Sequence, residues 1–297
     1  MNIVIKEIAI ERSHSAPYGI ATDDKENVWF TQHKANKISC LNKFGDIKEF
    51  TLPTPDAQVL CLTAASNGDI WFTENKGNKL GRISNQGVIE EFLLPHPNSA
   101  PYGIAEGLNG DIWFTEMSGN RIGKITSSGS IYEYEVPSEG AFPSFIVLGD
   151  DGAMWFTENQ NNAIGRITVT GKVTEFVIPT SNSGPVGITN GPDQALWFVE
   201  ILSNKIGRIT LSGEITEYEL PTENARPHAI TAGIDGSLWF TEWGANQIGH
   251  FSLAEGQITE YKIPTPQAEP HGISCDKNGE VWFALECNKL GHLSMIK

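Results

Sequence analysis

The dipeptide Trp-Phe begins at Trp29, Trp71, Trp113, Trp155, Trp197, Trp239 and Trp282, in steps of 42 residues and a final step of 43. No other feature limits the fold as strongly, because self-similarity at a fixed period means that one supersecondary unit packs against copies of itself. Around each pair the unit reads approximately P-x-G-I, a turn, [IL]-W-F-T-E, N-x-I-G-x-I, then G-x-I-x-E-[FY]-x-[IL]-P. Each piece alternates with period two, is rich in β-branched and aromatic residues, and is bounded by Gly, Asn, Asp or Pro, so each unit is predicted to contain four strands. Seven such units predict an all-β, seven-bladed β-propeller of four-stranded antiparallel blades, one domain over residues 1–297.

The last unit ends after its third strand, whereas residues 3–10, "IVIKEIAI", match a fourth. Glu7 stands ten residues before Pro17, as Glu49, Glu91, Glu133, Glu175 and Glu217 stand ten before the corresponding position of the next unit. The N-terminal strand is therefore expected to complete blade seven and close the ring, leaving no open edge.

A formal charge of −15 argues against phosphate-backbone or anionic-membrane partners. No apolar run is long enough to span a bilayer, and no basic-then-apolar leader is seen. Cys40, Cys61, Cys275 and Cys287 show no C-x-x-C spacing, which fits a reduced cytoplasmic protein.

Seven copies in one chain can be compared position by position. The Trp-Phe pairs, and the Glu that follows in most units (Glu74, Glu116, Glu158, Glu200, Glu242), recur too regularly to mark one site. Glu91, Glu133, Glu175 and Glu217 are expected to face Arg82, Lys124, Arg166 and Arg208 across the third and fourth strands as scaffold pairs. The lower turns, such as Asn67-Gly68 and Asp151-Gly152, are uniform hairpin dipeptides, whereas the upper connections vary.

Three upper columns single out blade seven. After the Pro position stand Tyr18, Leu60, Tyr102, Ser144, Val186, His228 and His271; two residues earlier stand Ala16, Gln58, Ala100, Phe142, Gly184, Arg226 and Glu269. Four residues after each Trp stand His33, Asn75, Met117, Asn159, Ile201, Trp243 and Glu286. The lone acid of the last two columns belongs to blade seven each time. Blades six, seven and one are neighbours in a closed ring, so His228, His271 and Tyr18 should converge. Blade seven is one residue shorter between Trp282 and Asn288, which puts Leu285 in the regular Glu position and leaves the register of Glu286 open.

A single polar residue on a solvated loop means little, but a cluster carries weight. Two carboxylates without a thiol suggest a hard cation, and Mg²⁺, which takes one or two carboxylates and keeps waters, suits Glu269 and Glu286 better than Ca²⁺. A histidine beside such an ion is suited to general-base work near neutral pH. Trp243, Tyr18 and Tyr102 offer apolar walls for a sizeable ligand. G-x-S-x-G is absent, which disfavours a covalent hydrolase.

The 42-residue units, with "RPHAI" at 226–230, "EPHGI" at 269–273 and "WFALECNKLG" at 282–291, closely resemble the virginiamycin B lyase, or streptogramin lyase, family over the whole chain. The resemblance implies a monomeric propeller that inactivates type B streptogramin antibiotics, a resistance function. Such enzymes open the cyclic depsipeptide at its ester by Mg²⁺-assisted elimination. It implies His271 as general base, Glu269 and Glu286 as magnesium-site residues, and His228, with Tyr18, as substrate contacts. Two other classes stay open: a metal-dependent lactone or ester hydrolase, and a propeller that only binds.

Overall fold

The period-two runs become four strands in every unit of the computed structural model, which describes residues 2–11 and 14–296. Six sheets follow chain order, from β2 (Pro17–Thr22), β3 (Val28–Gln32), β4 (Lys37–Leu41) and β5 (Ile47–Thr51) to β22 (Pro227–Ala232), β23 (Ser237–Glu242), β24 (Gln247–Ser252) and β25 (Gln257–Lys262). The seventh runs β26 (Pro270–Cys275), β27 (Val281–Leu285), β28 (Lys289–Ile296) and then β1 (Asn2–Ala9), with Glu7 opposite Gly291. First strands of neighbouring blades lie against each other around the whole ring, β26 against β2 included. The chain is thus a closed seven-bladed propeller clasped by its N-terminal strand.

The core lies between blades. Successive residues of a strand face opposite ways, so Trp71 and Phe72 serve the two faces of one blade. The Phe72 ring lies on the backbone of Gly81 in the third strand, where an added Cβ would come within 2.0 Å of it. The same approach recurs at Gly123, Gly165, Gly207, Gly249 and Gly291, so the glycine of "IG" is set by ring-on-backbone packing.

The expected scaffold ion pairs are corrected by the register. Glu91 lies opposite Gly81, and Arg82 opposite Glu90. A shift of one residue turns a side chain to the other face. Glu91 therefore meets Lys79 at 2.7 Å, while Arg82 lies over Trp71 and reaches Glu90 and Asp69. Likewise Lys124 pairs with Asp111, Arg166 with Asp151, and Arg208 with Asp193, all at lower turns.

The regular glutamates are fully buried, and their fourth-strand neighbours are also acids. Burial first, aided by the neighbouring carboxyl, pushes Glu74, Glu158 and Glu242 up to about 8 and Glu200 to about 7; Glu116 is raised as well. Blade one shows what a proton does there: Gln32 Nε2 donates to Glu49 at 3.2 Å. The buried acids bind protons in the folded state that the unfolded chain releases near its ordinary carboxyl pKa, so stability falls as pH rises through that window. Thermal unfolding should show a Tm several degrees lower at about pH 8.5 than at about pH 5.5. The triple variant Glu74→Gln, Glu158→Gln, Glu242→Gln should flatten that slope, and an unchanged slope would refute the assignment.

Candidate active site and metal centre

Each first strand carries a β-bulge, and the bulge aims the site. Pro270 lies opposite Leu285 and Ile273 opposite Phe283, so His271 and Gly272 together oppose Ala284 alone. The extra residue breaks the alternation and bends the strand. The residue after each Pro position is thereby presented at the ring centre, where Tyr18, His228 and His271 meet.

A second local device joins the two columns that hold the acids. The residue two before the bulge is left-handed in every blade, with φ of 53° at Glu269. Its carbonyl accepts the backbone N–H of the residue that follows the second strand: Glu286 N–H to Glu269 O is 3.3 Å, and His33 to Ala16, Asn75 to Gln58 and Trp243 to Arg226 repeat it. The columns are therefore tied by backbone, whatever their side chains. Leu285 takes the buried position of the regular glutamate, and Glu286 takes the upper one, which settles the register.

Glu269, His271 and Glu286 each offer a ligand atom, all within 4.8 Å of one another. Two carboxylates and an imidazole, without thiolate, form a donor set that a hard, partly hydrated divalent cation suits. Glu269 is exposed, Glu286 is partly buried, and His271 is 8% exposed, so the cluster opens to the upper face from a buried imidazole. His271 Nε2 lies 3.3 Å from Glu286 Oε1, while its Nδ1 is buried without a hydrogen-bond partner.

The closing seam supplies two further groups. His33 Nε2 of blade one also lies 3.3 Å from Glu286 Oε1, and Lys34 Nζ lies 3.3 Å from Oε2. The His271 ring first, then the His33 ring, hold the Glu286 carboxyl well below the usual carboxylate range. An acid kept ionised beside an imidazole suits cation binding.

Tyr18 stacks on His271 with centroids 4.4 Å apart, and His228 meets the same ring edge-on at 4.8 Å. Tyr18 Oη lies 3.2 Å from His228 Nε2 and 2.7 Å from Tyr102 Oη, a hydrogen-bonded chain beside the His271 ring. Burial first, then the His271 ring, push His228 down to about 3, so it is neutral at physiological pH. Burial pushes both tyrosines well above their ordinary value. Trp243 lies 6.4 Å from His271 in a stacked arrangement, with the Arg226 guanidinium over the Trp243 ring at 5.5 Å.

Tyr18, His228, Trp243, Glu269, His271 and Glu286 fall in one sector, and Tyr102, also named in the sequence, is buried and bonded to Tyr18. His33 and Lys34 were missed as members. The signal existed, since His33 stands in the Glu286 column of the adjoining blade. His250 and His292 stand apart, against Trp239 and Trp282.

A sequence family described as the virginiamycin B lyase family matches residues 3–293. A 55-residue stretch is 61% identical to virginiamycin B lyase of Staphylococcus aureus; it spans 18% of this chain and 18% of that protein. Over whole folds, a streptogramin B lyase structure superposes with a TM-score of 0.97 at 59% identity, covering 99% of this chain and 98% of that one. Selenomethionine-substituted virginiamycin B lyase from Staphylococcus aureus gives 0.97 at 61%, over 99% and 100%. A catalytically inactive histidine-to-alanine variant of that enzyme, solved with quinupristin, gives 0.97 at 60%, again over 99% and 100%. The chain belongs to the virginiamycin B lyase family.

Proposed function

We propose that this protein linearises type B streptogramin depsipeptides by elimination at the ester bond, with His271 as the base. The observation that carries the reading is a histidine enclosed by Tyr18 and His228 that touches an ionised acid of a three-residue cation cluster. Family membership and the inactive relative solved with quinupristin support the substrate class.

Imidazole, with an ordinary pKa of about 6.5, is too weak a base to remove a proton next to an amide carbonyl without help. Mg²⁺, held by Glu269 and Glu286, would stabilise the negative charge that grows on the substrate's carbonyl system. His271 takes the proton from the α-carbon. The electron pair of that C–H bond becomes the new C=C bond, and the β-carbon–oxygen bond breaks toward the ester oxygen, which leaves as a carboxylate. Glu286 orients the ring through Nε2, and Tyr18 holds its plane. His228 is neutral and engaged by Tyr18, so it walls the site without competing for the proton. Trp243 offers an aromatic face to the bound ring.

Every group needed comes from one chain, which supports action as a monomer. The four free cysteines suit a reducing, cytoplasmic setting, and no described helix is long and apolar enough to cross a membrane. Mass spectrometry of the product tests the reaction class. Elimination leaves the mass of the opened antibiotic unchanged, whereas gain of one water would establish hydrolysis and overturn the mechanism.

A further inference from the structure

The bulge that aims each central residue leaves two backbone groups to satisfy, and one side chain serves both. In blade six, Thr241 Oγ1 accepts the N–H of Ala229 at 3.0 Å and donates to the carbonyl of His271 in blade seven at 2.7 Å. The same hydroxyl links neighbouring blades at Thr31 to Leu60, Thr73 to Tyr102, Thr115 to Ser144 and Thr157 to Val186. At the equivalent positions of blades five and seven stand Val199 and Ala284, which have no hydroxyl. By the ring order, the carbonyls they would have served are those of His228 and Tyr18. Of the three residues packed together at the site, only His271 keeps the link.

We infer that Thr241 is a positioning residue for His271: its hydroxyl fixes the bulged backbone from which the imidazole projects. The inference rests on His271 being the base, as proposed above. The physical basis is the dependence of proton abstraction on placement, where an error near 1 Å costs about a hundredfold. The His271 ring is otherwise held by stacking on Tyr18, by the edge-on His228 ring and by a 3.3 Å approach to Glu286, all contacts of the side chain, none of which fixes the backbone from which it projects. A hydrogen bond to its own carbonyl does. Thr241 is fully buried between the blades and does not line the open face, so its effect runs through the backbone.

The test compares Thr241→Val with Thr157→Val, which removes the same link in blade four. Both replacements copy Val199, which the fold already accommodates in blade five. Each variant should lower Tm by a similar amount, about 4 °C for the two buried hydrogen bonds that the hydroxyl makes in a chain of this size. Only Thr241→Val should lower kcat, by about tenfold with KM little changed, and Thr241→Ser should restore it. Equal kcat in the two valine variants, or no recovery in Thr241→Ser, would overturn the positioning role. A parallel His271→Ala measurement separates the two ideas. If that variant is dead while the valine variants match, positioning alone falls; if it still turns over, the base assignment falls and positioning with it.

Discussion

Replacing His271 with alanine should reduce kcat on a type B streptogramin by about 10²–10⁴-fold, the range expected when a general base is removed. The fold should survive, because the ring lies at the mouth of the central channel and its packing partners, Tyr18 and His228, keep their own contacts with Tyr102 and Phe145. Matched near-ultraviolet circular dichroism and a Tm within a few degrees would show this. The variant leaves an imidazole-sized gap beside Glu286, so added imidazole should restore part of the rate. Full activity in the alanine variant would refute the assignment, since His33 and His228 are the other imidazoles nearby. Neither is suited to substitute: the His33 Nε2 meets Glu286 from blade one, and His228 is enclosed and bonded to Tyr18.

The second large effect is expected at the acids. Glu286→Gln keeps the shape of the side chain but removes the charge that meets His271, His33 and Lys34. Catalytic efficiency should fall by about 10²–10³-fold, as when an electrostatic stabiliser of a developing oxyanion is lost. A second readout is independent of turnover. A ligand that binds only the folded state raises Tm with its concentration, so Mg²⁺ should stabilise the parent protein and stabilise Glu286→Gln or Glu269→Gln far less. Chelator treatment should remove both the rate and the thermal shift. A rate insensitive to chelator, with no thermal shift from Mg²⁺ in the parent, would take the ion out of the mechanism.

The placement of Glu269 and Glu286 was legible because both belong to columns defined by local geometry. The left-handed residue before the Pro position and the backbone bond to the residue after the second strand recur in all seven blades. Once the columns were aligned, the two acids of blade seven had to be neighbours. The scaffold ion pairs were misread for the opposite reason. Arg82 is close to Glu91 in the repeat, but the strand alternation puts the two on different faces, and only the register of β8 (Lys79–Ile83) on β9 (Ile89–Leu93) shows which. The buried carboxyl pairs were also hidden, because a repeated Glu reads as a surface residue until its burial is known.

By itself the sequence determined the number of blades, the closure by residues 3–10 and the sector in which the candidate site residues gather, since each follows from short-range periodicity and turn preference repeated seven times. The tertiary structure alone decided that His33 and Lys34 reach Glu286 across 252 residues or more, that His228 is enclosed, and that Thr241 holds the carbonyl of His271. Those contacts join blades. Their distances depend on how the closed ring sets one sheet against the next, and local sequence preference contains no term for that.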